Sequence, residues 1–345
     1  MASDERLRGA ALGLGSALLF GLSAPVAKLL LPGAGPLSLA GLLYLGGGAA
    51  FLLVRRSPYE ARLTRAEAPI LAGAVLLGAA LAPPLMLWGL VRVSGLTGSL
   101  LLNLEAPFTM AIAVALFGEH LSRREALAAA LLVLGGAVVG SHGEHGLAGS
   151  AIGAVAIGFA CLCWAIDNNF SARLAMKDPV MVVRIKMISA GALNLLAAAL
   201  VERRLPQTRF VAGALVLGAF SYGVSYLFYL KAQRVLGAAR QGALFALAPF
   251  AGAALAMPLL GDRPTAFDLG GAAVMAAGLV LLLRASHGHP HTHDAIQHEH
   301  LHVHDDHHQH AHEGPVVEPH SHPHQHDPLT HEHPHVSDAH HRHRH

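Results

Sequence analysis

Residues 94–140 read SGLTGSLLLNLEAPFTMAIAVALFGEHLSRREALAAALLVLGGAVVG, and this stretch decides the fold. It holds two long apolar runs, which are separated by the short polar turn 119–124. Asn103, Glu105 and Pro107 lie near the middle of the first run. Both runs have about the length that a helix needs to cross a bilayer, so the stretch predicts two membrane helices joined by a tight turn.

The same plan returns in the second half of the chain, within residues 237–283. There Leu247-Ala-Pro-Phe250 matches Leu104-x-Ala-Pro-Phe108, and a polar turn again separates two apolar runs. A repeat over this distance indicates two copies of one membrane unit.

The composition supports a membrane protein. Hydrophobic residues make up 53% of the chain and charged residues 13%, and the mean hydropathy is +0.46. A soluble protein of this length would carry about 25% charged residues. The 37 glycines also fit a bundle of closely packed membrane helices. No Gly-x-x-x-x-Gly-Lys-Ser/Thr loop is present in the sequence, so ATP-driven transport is not expected, and neither is enzymatic activity.

Ten segments are apolar enough and long enough to be spans: 9–31, 37–54, 68–91, 95–118, 124–141, 149–171, 180–201, 210–231, 237–260 and 266–284. Prolines within them, Pro107 and Pro249 above all, predict helix breaks around a central path. The predicted fold class is an all-α membrane protein with ten transmembrane helices in two five-helix repeats. Since five is an odd number, the two repeats must be inverted relative to each other, as in secondary transporters.

This pattern predicts four parts. Residues 1–8 form a cytoplasmic N-terminus, 9–141 the first repeat, 149–284 the second repeat and 285–345 a tail. Placing the N-terminus inside puts more Lys and Arg on the inner side than on the outer side, and this predicts that both termini are cytoplasmic. The expected location is the inner, or plasma, membrane. The outer residues are Arg92, Arg203, Arg204, Arg209 and Arg263.

The tail after Ser286 differs sharply from the rest of the chain. Histidine occurs at every second position in several runs, mixed with acidic residues and prolines. This composition predicts a disordered segment that builds no core. Neutral imidazole binds Ni, Co and Zn, so we expect a divalent metal to bind the tail as a buffer, a regulator or a delivery arm. The expected ligands are His287, His289, His291, His293, His298, His300, His302, His304, His320, His322, His324 and His326.

Over residues 9–284 the sequence resembles the EamA type of the drug/metabolite transporter superfamily. The residues that carry the resemblance are Leu104-x-Ala-Pro-Phe108, Gly118-Glu119-x-Leu-Ser122, Gly135-Gly136, Ala248-Pro-Phe250, Gly261-Asp-Arg-Pro264 and Ala277-Gly278. The resemblance implies a ten-helix inverted-repeat carrier with both termini in the cytoplasm. It implies substrates such as amino acids, sugars, nucleotide precursors or drugs, often moved outward. Glu105 departs from the family pattern, in which this position is usually apolar or small.

Glu105 is the first candidate for the transport site. A carboxylate near the middle of a span is costly in lipid, so it should face the interior of the bundle. It either binds a cationic or amine-bearing substrate or carries a coupling proton. The alternative is a structural ion pair with Lys186, Arg184 or Lys28.

Five further residues complete the predicted substrate or proton site, and they are Asn103, Asp167, Asn168, Tyr222 and Tyr226. Asp167 either lines the cavity or pairs with Arg173 at the end of its span. The two tyrosines share one helix face, which points either to the cavity or to the membrane interface.

Two functions remain open from the sequence. The first is a secondary transporter that exports or exchanges a small amino acid-like or drug-like metabolite by alternating access, with a cavity lined by spans four, six, eight and nine. The second is a divalent-metal exporter for Ni, Co or Zn, in which the tail collects the ion and Glu105 is a ligand. The expected partners are the lipid bilayer, a small-molecule substrate and divalent metal ions. No cofactor is required and no nucleic acid is expected, while a homodimer is left open.

Overall fold

The protein is described by a computed structural model that covers the chain except residues 1, 56–58, 118–120, 142–145, 204–205, 285–286, 294–295, 303–319, 327–328 and 336–345. Ten helical segments follow one another in the described part. They are α1 (Ala2–Gly21, Ser23–Leu30 and the 3₁₀ turn Leu31–Gly33), α2 (Pro36–Ala49), α3 (Ala68–Gly73, the π-helical Ala74–Leu81 and Ala82–Leu90), α4 (Gly95–Leu101, the 3₁₀ turn Leu102–Leu104 and Glu105–Phe117), α5 (Arg123–Gly140), α6 (Gly146–Leu174), α7 (Pro179–Val201), α8 (Thr208–Leu217, the π-helical Gly218–Val224 and Ser225–Leu236), α9 (Ala238–Phe245 and Ala248–Leu260) and α10 (Ala266–Leu283).

These ten segments lie where the sequence predicts ten spans, which confirms the all-helical fold class. Eight of them are long and apolar enough to cross a membrane by length and composition. The other two are α2, which has 14 residues, and α5, which begins with the charged residues Arg123, Arg124 and Glu125.

The second span ends earlier than predicted. The sequence is apolar to Val54, but the helix stops at Ala49 and the chain continues in turns. Arg184 of α7 explains this end, because its guanidinium donates to the carbonyl of Phe51 at 2.7 Å and to that of Val54 at 2.6 Å. The side chain thereby satisfies carbonyls that a longer helix would have bonded internally.

The packing follows an approximate two-fold symmetry between the halves. Helix α2 packs against its counterpart α7, and α5 packs against its counterpart α10. In the same way, the pairing of α1 with α8 is matched by the pairing of α6 with α3. Since each half contains five spans, this pairing fits two units that cross the membrane in opposite directions.

Glycines bring the symmetry-related helices into backbone contact. A Cβ added to Gly135 of α5 would lie 2.7 Å from the carbonyl oxygen of Gly271 of α10, and the reverse distance is 2.9 Å. Gly47 of α2 and Gly223 of α8, two helices that are not counterparts, approach each other in the same mutual way. Membrane helices associate through such close packing because lipid supplies no hydrophobic drive between them.

The turns that precede α5 and α10 also match each other. Ser122 and Glu125 form a capping box at the start of α5, and Thr265 and Asp268 form one at the start of α10. Both pairs satisfy backbone N–H groups that the first turn of a helix leaves free. The repeated polar turn seen in the sequence is therefore a repeated helix start.

The described segments of the tail form four strands in two antiparallel ribbons. The strand β1 (His287–His293) pairs with β4 (Leu329–His335), and β2 (Ile296–His302) pairs with β3 (His320–His326). The alternation of histidine with other residues fits these pairs, because a two-residue period is the period of a strand. Disorder of the tail as a whole stays a prediction. Two-stranded ribbons are only marginally stable by themselves, so they do not amount to a packed domain.

The contact between α5 and α10 can be tested with two neighbouring glycines. In Gly271→Ala, the new Cβ would lie 2.4 Å from Val139 Cγ2, whereas a Cβ on Gly270 meets nothing within 4 Å. We expect Gly271→Ala to lower the free energy of unfolding by about 1–3 kcal/mol through overpacking. Gly270→Ala is the matched control and should leave stability unchanged or raise it slightly. Thermal unfolding in detergent measures both variants, and equal stabilities would contradict the proposed close contact.

Candidate functional site

A cavity of about 50 Å³ lies at the centre of the bundle, where it has room for about three to five waters. Its walls come from both halves of the chain. They include the predicted spans α4, α6, α8 and α9 and, in addition, α1, α2 and α7. The lining residues are Phe20, Tyr44, Glu105, Trp164, Asp167, Asn168, Lys186, Met187, Ser221, Tyr222, Ser225, Tyr226, Tyr229 and Phe245.

An ion pair between α6 and α7 forms one wall of this cavity. Lys186 Nζ donates to Asp167 Oδ2 at 2.5 Å, and the two residues are only 2% and 4% exposed. The ammonium also lies 4.1 Å from the centre of the Tyr226 ring. The Tyr226 hydroxyl is 2.7 Å from Ser171 Oγ, which in turn donates to Asp167 Oδ1 at 3.4 Å. The charge of Asp167 is therefore compensated within the protein.

Glu105 of α4 faces the same cavity without such compensation. Its Oε1 accepts a hydrogen bond from Asn168 Nδ2 at 2.7 Å. The hydroxyl of Tyr229 donates to Asn168 Oδ1 at 3.4 Å, which fixes the orientation of the amide. Among the described side chains, no Lys or Arg lies within ion-pair distance of Glu105. A half-buried carboxylate of this kind can accept a proton or bind a cationic group.

Irregular turns in α3 supply hydrogen-bond acceptors for the cavity wall. Proline at positions 83 and 84 removes two helical N–H donors, and the N–H of Ala82 bonds to Leu77 in the π-helical pattern. The carbonyl of Gly78 is thereby left free, and it accepts bonds from Trp164 Nε1 at 2.8 Å and from the Tyr44 hydroxyl at 3.2 Å. Such π-helical turns are frequent at functional sites.

Gly78 also gives Asp167 the space that it occupies. A Cβ on Gly78 would lie 2.3 Å from the carboxyl carbon of Asp167, so any larger residue would push against the ion pair. The symmetry-related helix α8 has its own π-helical turn, Gly218–Val224, and this turn carries Ser221 and Tyr222 into the cavity.

Aromatic rings make up most of the remaining wall. Phe20 contacts Trp164, Tyr222 and Phe245 with ring centres 5.1–6.0 Å apart. Tyr229 packs edge-on against Phe245, at 5.1 Å. Rings in these arrangements are held by their own contacts and present apolar faces and edges to a ligand.

Of the six predicted site residues, five line the cavity: Glu105, Asp167, Asn168, Tyr222 and Tyr226. Asn103 lies elsewhere. It is buried and its Nδ2 contacts the sulfur of Met275 at 3.8 Å, so it packs against α10.

The ion pairs differ from those that the sequence left open. The partner of Asp167 is Lys186 and not Arg173, because α6 continues to residue 174 and turns Asp167 towards α7. Glu105 has none of its three expected partners. Lys186 is bound to Asp167, Arg184 binds backbone carbonyls near Phe51, and Lys28 donates to the carbonyls of Leu90 and Val93.

The two predicted helix breaks occur next to the prolines. Pro107 follows the 3₁₀ turn of α4, and Pro249 lies in the first turn of the second piece of α9. A proline is tolerated at these places because the first turn of a helix has no internal partner for its N–H groups.

Several lining residues are absent from the sequence-based site. They are Phe20, Tyr44, Trp164, Lys186, Met187, Ser221, Ser225, Tyr229 and Phe245. Most are aromatic residues in apolar spans, where an ordinary core residue has the same appearance. The pattern Phe20-Gly21, which is echoed by Trp164-Ala165, was the available signal, since Phe20 and Trp164 contact each other between the halves.

The predicted metal ligands of the tail, from His287 to His326, lie outside the side chains that the structure describes. Within the described side chains, no group of three or more His, Cys, Asp and Glu residues is placed to hold a metal ion. Metal binding by the tail therefore stays a prediction.

Comparison with known proteins gives a family match over both halves. Residues 7–141 and residues 151–284 each match the EamA-like transporter family. An uncharacterised transporter of Methanothermobacter thermautotrophicus is 27% identical over 285 residues, which is 77% of this chain and 83% of that protein. A probable amino-acid metabolite efflux pump of Salmonella typhimurium is 27% identical over 195 residues, which is 53% of this chain and 65% of that protein.

A solved crystal structure shares the fold. It superposes with a TM-score of 0.60 and covers 79% of this chain and 95% of the other one, at 19% sequence identity.

The coupling between Asp167 and Lys186 is open to a double-mutant cycle. Asp167→Asn leaves a buried ammonium without a counter-ion, and Lys186→Met leaves a buried carboxylate. We expect either change to lower the free energy of unfolding by about 3–5 kcal/mol. The double variant should lose clearly less than the sum, because it buries no unpaired charge. Unfolding in detergent measures the cycle, and strictly additive losses would show that the pair is not coupled.

Proposed function

The chain belongs to the EamA-like transporter family, and from this premise we propose that it exports or exchanges a small organic metabolite by alternating access through the central cavity. The observation that carries the proposal is the uncompensated carboxylate of Glu105 in a cavity built by both halves. The name of the Salmonella relative, a probable amino-acid metabolite efflux pump, supports export of a small organic metabolite.

Glu105 and Asn168 form the exchange site in this proposal. Glu105 holds either a proton or the cationic group of the substrate, since both compete for one carboxylate. Asn168 orients the carboxylate through its bond to Oε1 and is itself held by Tyr229. Asp167 and Lys186 form part of the cavity wall, and their opposite charges neutralise each other next to Glu105.

Alternating access requires the two ends of the bundle to open in turn. We place both termini in the cytoplasm and the protein in the inner membrane. Arg234 at the end of α8 then lies on the cytoplasmic side. It pairs with Glu60 at 3.0 Å and donates to the carbonyls of Ala175 and Lys177, at 2.9 and 2.8 Å. Of these bonds, only the pair with Glu60 ties the second half to the α2–α3 connection, so this pair must break, or Glu60 must move with Arg234, when the cavity opens inward.

On the opposite side, carboxylates bind the starts of helices. Glu202 at the end of α7 accepts hydrogen bonds from the N–H groups of Leu37 and Ser38, at 2.7 and 3.1 Å. Asp262 accepts one from the N–H of Leu96 at the start of α4, at 2.8 Å. When the cavity opens outward, these hydrogen bonds must break or the bonded residues must move together. Each bond is favourable because it places a carboxylate at a helix N-terminus.

A divalent-metal exporter fits the cavity less well. The described cavity offers a metal only Glu105 and Asp167 as anionic ligands, and Lys186 occupies the second of these. A divalent ion would have to displace this ammonium. We therefore assign metal binding to the tail as an accessory function and the cavity to the organic substrate.

The role of Glu105 is tested by Glu105→Gln. Glutamine keeps an acceptor for Asn168 but can hold neither a proton nor an ammonium group by charge. We expect transport to fall by about 10-fold to 100-fold, since hydrogen bonds to charged groups contribute about 1.5–3 kcal/mol. Efflux of a panel of amino acids and amines from proteoliposomes, measured across a pH series, gives the rates.

The control for this variant is Glu125→Gln in the capping box of α5. Glutamine serves in a capping box as glutamate does, so this change should leave transport and its pH dependence unaltered. Unchanged transport by Glu105→Gln would give Glu105 a structural role instead.

The tail is tested by deleting residues 287–345. We expect the full chain to bind Ni, Co or Zn and the shortened chain to lose this binding, while efflux of the organic substrate in metal-free buffer persists. Binding should weaken below about pH 6.5, because protonated imidazole is no ligand. Calorimetric titration measures the binding. If the deletion abolishes metal resistance of cells and leaves organic efflux unchanged, the metal exporter is the better assignment.

A further inference from the structure

The charges that face the cavity do not cancel. Among the described lining residues, three side chains are acidic or basic, and they are Glu105, Asp167 and Lys186. Asp167 and Lys186 neutralise each other at 2.5 Å, which leaves the single negative charge of Glu105. An occupied cavity within a membrane is stable only when this charge is matched, because an unpaired charge is costly there.

No cation of the described cavity wall is free to receive a carboxylate, although the buried hydroxyls of Ser221 and Tyr222 have no hydrogen-bond partner among the described atoms and can donate one bond each. Lys186 is the only cation among the described lining residues, and Asp167 and the ring of Tyr226 already bind its ammonium. Arg184 lies on the same helix but donates to the carbonyls of Phe51 and Val54. A substrate carboxylate in the cavity would therefore lie near Glu105 and Asp167 without a cationic partner, and its charge would be desolvated at a cost.

The rest of the wall suits an ammonium group on an apolar body. The faces and edges of Phe20, Tyr222, Tyr229 and Phe245 offer apolar contact and attraction for a cation. Ser221 Oγ is buried, lines the cavity and has no hydrogen-bond partner among the described atoms, so it can accept a bond from an N–H of the substrate.

We propose that the substrate is an organic monocation: a small apolar body that carries one ammonium group and no free carboxylate. Amines and the amides or esters of amino acids belong to this class, whereas amino acids themselves do not. This inference rests on the proposed transport function and names the substrate class of the same cavity.

A matched series of four compounds tests it, because they share one branched apolar body. Isoamylamine carries the ammonium alone, and leucinamide carries it beside a neutral amide. Leucine adds the carboxylate, and 4-methylpentanoate has the carboxylate alone. Binding is measured with the full chain in detergent by ligand-induced thermal shift and calorimetry. Counterflow in proteoliposomes then gives the transport of each compound.

We expect isoamylamine and leucinamide to bind at least about tenfold more tightly than leucine, because leucine must bury a carboxylate that has no counter-ion. We expect 4-methylpentanoate to show no binding. Leucine binding as tightly as isoamylamine would overturn the inference and leave the transport proposal intact. Failure of both amines to bind at millimolar concentration would also overturn it. The transport proposal itself is decided separately, by efflux of the wider metabolite panel.

Two variants test the charge balance directly. Asp167→Asn releases Lys186, so the cavity would then present one carboxylate and one ammonium, which is the complement of a zwitterion. We expect the preference for isoamylamine over leucine to fall by about tenfold or more in this variant.

The double variant Asp167→Asn/Lys186→Met restores a single negative charge and should regain the preference for the amine. If Asp167→Asn alone does not fold, the double variant still tests the charge balance. A preference for leucine in the double variant, or an unchanged preference in a folded Asp167→Asn, would show that the charge balance does not select the substrate.

Discussion

A bilayer gives no hydrogen bonds to a broken helix, and this constraint organises the centre of the molecule. Where α3 changes to π-helical turns before its two prolines, the carbonyl of Gly78 can be satisfied only by another part of the protein. Trp164 and Tyr44 supply the donors, and Asn194 does the same for the carbonyl of Ala79, at 3.2 Å. The breaks therefore do more than bend helices, because they fix the side chains that build the cavity wall.

The same constraint explains why the two acidic residues of the cavity differ. Asp167 is almost fully buried and could not remain charged there without Lys186. Glu105 is half-buried at the cavity surface, and among the described groups its carboxylate is bonded only to the neutral amide of Asn168. One carboxylate thus belongs to the scaffold, and the other is available to a ligand.

The sequence was sufficient for the helices and for much of the site. Span positions follow from the length of apolar runs, and Glu105, Asp167 and Asn168 were recognisable because polar residues are rare in such runs. The partner of Asp167 was not predictable, since a contact between α6 and α7 depends on the rotation of both helices. The aromatic lining was not predictable for another reason. In an apolar span, the sequence does not distinguish a phenylalanine that faces a cavity, such as Phe20, from one that packs in the core. Asn103 packs against Met275 of α10 and does not line the cavity, because polarity alone does not tell which interface a residue faces.

The approximate two-fold symmetry applies to the backbone and not to the charges. Glycine contacts, capping boxes and π-helical turns occur in corresponding helices of both halves. The position that matches Glu105 in the second half is Leu247, and Asp167 and Lys186 both lie on the second half's own helices α6 and α7. The packing elements are thus duplicated, whereas the charged side chains of the described cavity occur once. The cavity lies at the interface between the halves, since Glu105 of the first half accepts a bond from Asn168 of the second, so a change in these side chains also touches the packing between the halves.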